Sequence, residues 1–118
     1  MVLVDTSVWV AYLRDGTAKL EALLNDGHVV CHLFIIGELA SGNLKNRVEI
    51  LSLLQALPLA FHTEHEEGMR FIENYHLMGK GLGYIDIHLL ASSILTEVPL
   101  WTLDKRLCEV SSKLGIKY

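Results

Sequence analysis

Four acidic residues stand alone in apolar surroundings: Asp5 in VLVDTS, Glu38 in FIIGELASG, Asp86 in GYIDIHLLAS and Asp104 in PLWTLDKRL. A buried carboxylate costs several kcal/mol unless it is paired or meets a cation. Four of them in one 118-residue chain suggest a shared purpose, the holding of divalent metal. Carboxylate oxygens are hard donors that suit Mg²⁺ or Mn²⁺. Asp5 and Asp86 are the first choices for direct ligands. Glu38 is either a further ligand or the group that orients and deprotonates an attacking water. Asp104 would hold a second ion, directly or through water. The hydroxyls of Thr6, Ser7 and Thr102 stand near enough in sequence to fix carboxylate rotamers by hydrogen bonding. Each acid also has a plainer reading. Asp5 and Asp104 are good N-caps, Asp86 suits a first helical turn, and Glu38 suits an amphipathic surface.

For such acids to meet, the fold must bring together residues nearly a hundred positions apart. Val2 to Val4 reads as a short buried strand, and Asp5-Thr6-Ser7 begins a helix that ends near Asp15-Gly16. A second helix is expected from Thr17 to Asn25, and a strand from His28 to His32. Leu33 to Leu44 reads as the helix carrying Glu38, and Arg47 to Leu57 as another, stopped by Pro58. Leu59 to Phe61 reads as a short edge strand. Thr63 to Met78 reads as a helix with Thr63 and Glu66 as its capping box. After the Gly79, Gly81 and Gly83 loop, Tyr84 to Thr96 is the most apolar helix and carries Asp86. A strand at 100–102, a helix from Lys105 to Leu114 and a final strand from Ile116 to Tyr118 complete the chain. Strands alternating with helices predict an α/β domain with a parallel sheet. In open sheets of that kind the ligand crevice lies beyond the carboxyl ends of the strands. Asp5 and Asp104 each follow a strand, so they are expected on the same edge.

Composition narrows the class. The length suits a single domain spanning 1–118 with one core. Apolar residues make up 51% and mean hydropathy is +0.33, yet no run approaches the roughly 20 residues that span a bilayer. The apolar start is interrupted by Asp5 and preceded by no basic region, so no signal peptide is expected and a cytoplasmic location is. Surplus apolar surface predicts a partner or a second copy. The net charge of −4 argues against nucleic acid, but bound cations would invert the field at the acids. Cys31 and Cys108 lack metal-ligand spacing and read as buried thiols.

The segments LVDTSVWVAYLR, IIGELASG, GLGYIDIHLLASS and LWTLDKRL resemble those of PIN-domain ribonucleases, specifically the VapC toxins of toxin–antitoxin pairs. The resemblance runs from Val2 to about Leu114. Asp5, Glu38, Asp86 and Asp104 match the family's acidic positions, and the DTS start and the T-x-D pairing of Thr102 with Asp104 match too. It implies a three-layer α/β/α fold around a parallel sheet of four to five strands. It also implies a Mg²⁺- or Mn²⁺-dependent endoribonuclease that cuts structured RNA, such as tRNA or rRNA, and leaves a 5′-phosphate and a 3′-hydroxyl. A VapB-like antitoxin would neutralise it, its helix filling a groove and an arginine reaching the acids. Homodimerisation is expected on the same grounds.

Other readings have less behind them. A phosphotransfer domain would need further acids beside Asp5, where Ser7 stands. A catalytically inactive PIN-like adaptor that binds RNA or protein is disfavoured by the intact acids. The six histidines lack zinc spacing, and His88 is expected in the core or at a partner contact. Trp9 and Trp101 read as core or interface anchors. Arg14, Lys45, Arg47, Lys80, Lys105 and Arg106 are candidates for a phosphate track, with solvated surface as the plainer alternative.

Overall fold

A computed structural model describes residues 1–118. Strand β1 (Val2–Val4) leads into α1 (Thr6–Asp15) and α2 (Ala18–Asn25), followed by β2 (Val29–Val30) and α3 (Leu33–Ala40). Then come α4 (Arg47–Ala56), α5 (His65–Asn74), α6 (Tyr84–Thr96), β3 (Leu100–Trp101) and α7 (Lys105–Lys113). The strands are parallel in the order β2-β1-β3, with Leu3 opposite both Val30 and Leu100. Single parallel bridges extend the sheet on either side, Cys31 to Leu59 and Leu100 to Lys117. The five extended segments read from the sequence are therefore all present. Only three are long enough to form ladders, because the chain touches the outer positions briefly and turns away.

All three residues of β1 are buried, as expected for a central parallel strand covered on both faces. Helix α6 supplies the largest helical share of the core, with seven consecutive buried residues from Ile87 to Ser93. A helix buried all round belongs inside a fold. Val8 and Trp9 of α1, Ile35 and Leu39 of α3, and Leu107 and Val110 of α7 close the same core. Trp9 is thus a core residue. Trp101 is half-buried and pairs with Tyr118, and Lys19 lies over both rings.

Two helices depart most from the sequence reading, α3 at its end and α5 at both ends, the latter stopping at Asn74 rather than Met78. Helix α3 ends at Ala40 rather than Leu44. Arg47 donates to the Ala40 and Gly42 carbonyls at 2.6 and 3.3 Å, which satisfies helix-end acceptors and takes Arg47 off any phosphate track. Helix α5 begins two residues late, with the Glu64 N–H donating to Glu67 Oε1 in place of a Thr63–Glu66 box. Thr63 is buried and has another use, bonding to His88. Cys31 is buried and its thiol is pushed up to about 11 by burial, so it is inert near neutral pH. Cys108 is only half-buried.

Candidate active site

β1 and β3 end side by side, and the acids that follow them share one hydroxyl network. Thr102 Oγ1 and Ser7 Oγ both donate to Asp5 Oδ2, at 2.7 and 2.8 Å. The same two oxygens receive backbone N–H groups from the following loop, Ser7 from Leu103 and Thr102 from Asp104, each at 3.0 Å. Asp5 stands at the N-cap position of α1 but its side chain makes no cap bond. The plain capping reading therefore fails for Asp5: the carboxylate is 7% exposed and faces the β3 loop. Asp104 does cap, taking the Leu107 N–H on Oδ1 at 2.9 Å.

The other two acids come from helices. Glu38 lies on the exposed face of α3, where Thr6 Oγ1 donates to Oε1 at 2.7 Å. Asp86 sits in the first turn of α6, and its Oδ2 accepts the Gly83 N–H at 2.9 Å. Each of the four carboxylates is thus oriented through one oxygen, and its other oxygen makes no hydrogen bond. All three hydroxyls singled out in the sequence, Thr6, Ser7 and Thr102, sit on these carboxylates.

Asp86 feels the others. Its pKa is raised, first by burial and then by the negative charges of Asp5, Asp104 and Glu38, while the Gly83 bond opposes the shift. Like charges gathered at one place raise a carboxyl pKa in this way. Yet no three His, Cys, Asp or Glu side chains stand close enough as placed to hold one ion. The donor set still fits a hard divalent cation: four carboxylates, an open oxygen on each, and mutual repulsion that a cation would relieve.

The surroundings are apolar on one flank and basic on another. Between α1 and the α3–α4 segment lies a cavity of about 600 Å³, lined in part by Val10, Leu13, Leu39, Leu44 and Ile50, with Thr6 and Glu38 on its wall. Arg106 of α7 packs on Gly81. A Cβ at Gly81 would fall 2.6 Å from Arg106 Cδ and 2.7 Å from Nη1, which the flexible side chain could give way to, but the backbone there has φ +77°, which favours glycine. Arg106 makes no ion pair; Arg14 is paired with its neighbour Asp15.

Comparison with known proteins decides the family. The sequence profile of the PIN domain matches residues 2–113. The chain belongs to the PIN domain family. Ribonuclease VapC32 of Mycobacterium tuberculosis, in strains CDC 1551 / Oshkosh and H37Rv, is 41% identical over 117 residues, covering 98% of this chain and 94% of the relative. The resemblance to VapC-type PIN domains read from the motifs is therefore borne out. The crystal structure of PAE2754 from Pyrobaculum aerophilum superposes with a TM-score of 0.61 at 15% identity, over 97% of this chain and 88% of that one. At that identity the likeness shows the fold, a PIN fold with helices around a parallel sheet.

One cluster beside the acids escaped sequence reading. His32, His62 and His88 surround Phe34, with ring centroids 5.1–5.2 Å from it. His32 and His88 are buried, and burial and neighbouring histidines lower both pKa values, that of His32 to about 4. The available signal is His88 itself, a polar residue inside the most buried helix of the chain.

Proposed function

We infer that this PIN domain, taken as one unit over 1–118, is a VapC-type endoribonuclease and the toxin of a toxin–antitoxin pair. We further assign its phosphodiester chemistry to Asp5, Glu38, Asp86 and Asp104. The observation that carries the site assignment is the set of four carboxylates from separate segments, each held through one oxygen with the other free of hydrogen bonds; Asp5, Asp104 and Glu38 add to the burial that raises the Asp86 pKa. A bound Mg²⁺ or Mn²⁺ would supply an activated water and neutralise charge on the phosphoryl group. Asp5 and Asp86 would hold it through their open oxygens. Ser7 and Thr102 keep the Asp5 carboxylate in one rotamer, and Thr6 does the same for Glu38. Glu38, exposed and with one open oxygen, would add a further ligand or take a proton from the attacking water. Asp104 adds charge at the β3 side while capping α7.

Lys80 lies in the turn that leads to Asp86 and Arg106 packs on Gly81 of that turn, and we assign both to phosphates flanking the cut in structured RNA. The apolar cavity opening on Glu38 suits a helix of a VapB-like antitoxin, with an antitoxin arginine neutralising the acids. Homodimerisation belongs to the same reading and is tested by light scattering. A cytoplasmic site of action belongs to the same reading; no helix is long and apolar enough to cross a membrane.

The decisive test is RNA-end mapping after brief expression of wild type and Asp5→Asn. Both hydroxyls donate to the same Asp5 oxygen, so an asparagine carbonyl can accept both and preserve the local structure. New 5′-phosphate ends should appear with wild type alone; full cleavage by the variant would overturn the assignment.

A further inference from the structure

Glu38 and Asp86 ride on α3 and α6, so packing between those helices sets their separation. The helices meet through a few side chains, and two histidines make contacts of this kind. The Nδ1 of His32 accepts the Phe34 N–H at 3.0 Å and caps α3, which leaves the proton on Nε2 for Ser92 of α6, also at 3.0 Å. His88 works from the other side. Its ring is 1% exposed and meets Phe34 nearly edge-on, at 5.2 Å between centroids and 78° between planes. Phe34 and Glu38 are one turn apart on the same face of α3. Asp86 precedes His88 by two residues, and the small cleft between the helices is lined by Phe34, Glu38 and Ile85.

The His88 ring is held at one nitrogen and hemmed in at the other. Nδ1 lies 2.6 Å from the buried hydroxyl of Thr63. Nε2 has no hydrogen-bond partner and faces Gly68 of α5, where an added Cβ would stand 2.9 Å from it. An N–H buried without an acceptor costs on the order of 1–3 kcal/mol. A lone pair against a Cα–H is tolerated. The geometry therefore puts the proton on Nδ1, donated to Thr63, and makes the missing side chain of Gly68 a condition for the ring's seat.

We propose that His88 is a positioning residue: held between Thr63 and Gly68 and seated on Phe34, it sets the distance between Asp86 and Glu38. The proposal rests on the reading of those acids as a metal site. It is tested by titrating the full-length, RNA-free protein with Mn²⁺ alone and following free ion by electron paramagnetic resonance. Thr63→Val keeps the shape and removes the hydroxyl, and Gly68→Ala moves the ring without touching its chemistry. Each should weaken Mn²⁺ binding by about fivefold, the scale for changes that touch no ligand and act through packed side chains. Leu20→Ala, in the core under α2, is the control for lost stability and should leave the affinity within about twofold of wild type. If Gly68→Ala does not fold, the near-isosteric Thr63→Val carries the test. Wild-type affinity in Thr63→Val, with binding abolished in Asp86→Asn, would overturn the positioning role and leave the acid site standing. Equal weakening in Leu20→Ala would reduce the effect to stability and overturn it too. Unchanged binding in Asp86→Asn would bring down both readings.

Discussion

The two halves of the acid site are built differently. Asp5 and Asp104 follow adjacent strands and are joined through Ser7, Thr102 and two loop N–H groups, all within hydrogen-bond distance. Glu38 and Asp86 come from helices, and each has a single orienting donor. What fixes the second pair lies deeper, in the contacts of His32, Phe34 and His88 between α3 and α6. Strand ends place a side chain by ladder register, which slips only by whole residues. Helices place it by side-chain packing, which responds to every methyl group.

The contrast can be broken outright at Asp5. Asp5→Asn should cost several kcal/mol of transition-state stabilisation, on the order of 10³-fold in cleavage rate. The loss should come with an unchanged circular dichroism spectrum. It should also let the Asp86 pKa fall back toward the usual carboxylate range, because one of its negative neighbours is gone. Carboxyl NMR titration reads that shift, and an Asp86 pKa that stays put would show the halves to be electrostatically separate.

Acid should act on the helical half through His32. The folded protein keeps this ring neutral down to about pH 4, whereas the unfolded chain binds the proton near 6.5. Between those values the unfolded state carries more protons, so stability falls as pH drops from about 6.5 to about 4. One pKa unit is worth about 1.4 kcal/mol, so the full loss is on the order of 3 kcal/mol. His32→Asn keeps a capping side chain at the start of α3 and should remove this part of the slope in urea unfolding at pH 7 against pH 4.5. An unaltered slope would show that His32 does not anchor the helical half.

Smaller effects refine the comparison. Thr102→Val strips a buried donor from Asp5 and should weaken Mn²⁺ binding by roughly 10- to 100-fold. Thr6→Val strips an exposed donor from Glu38 and should cost less, about threefold, because water replaces the hydroxyl. The reverse order in a metal titration would mean that the helical pair, not the strand-end pair, carries the affinity. Smallest of all, Asp104→Asn should leave thermal stability within about 0.5 kcal/mol, since asparagine caps as well as aspartate. Its cleavage should drop by far less than that of Asp5→Asn.

Much of this was readable before any coordinates. The strand–helix alternation gave the parallel sheet, and α6 runs from Tyr84 to Thr96 as its apolar run predicts. The three hydroxyls flagged beside the acids proved to be in contact with them. The end of α3 was misjudged because its stop depends on Arg47, seven residues beyond Ala40 in the chain, folding back onto its carbonyls. Thr63 reads as a cap from its neighbours alone, and its partner, His88, lies 25 residues away.

Sequence by itself determined what is local. Lone acids in apolar runs mark their own energetic cost, and strand ends mark one edge. Tertiary structure alone decided which oxygen of each carboxylate is held and which is open, and that Asp5 faces the β3 loop and not its own helix. It also decided that two buried histidines lie between the helices bearing Glu38 and Asp86. Those outcomes depend on contacts between residues up to 97 positions apart, which no local pattern encodes. They are selected only when the core closes and every buried polar group must find, or go without, a partner.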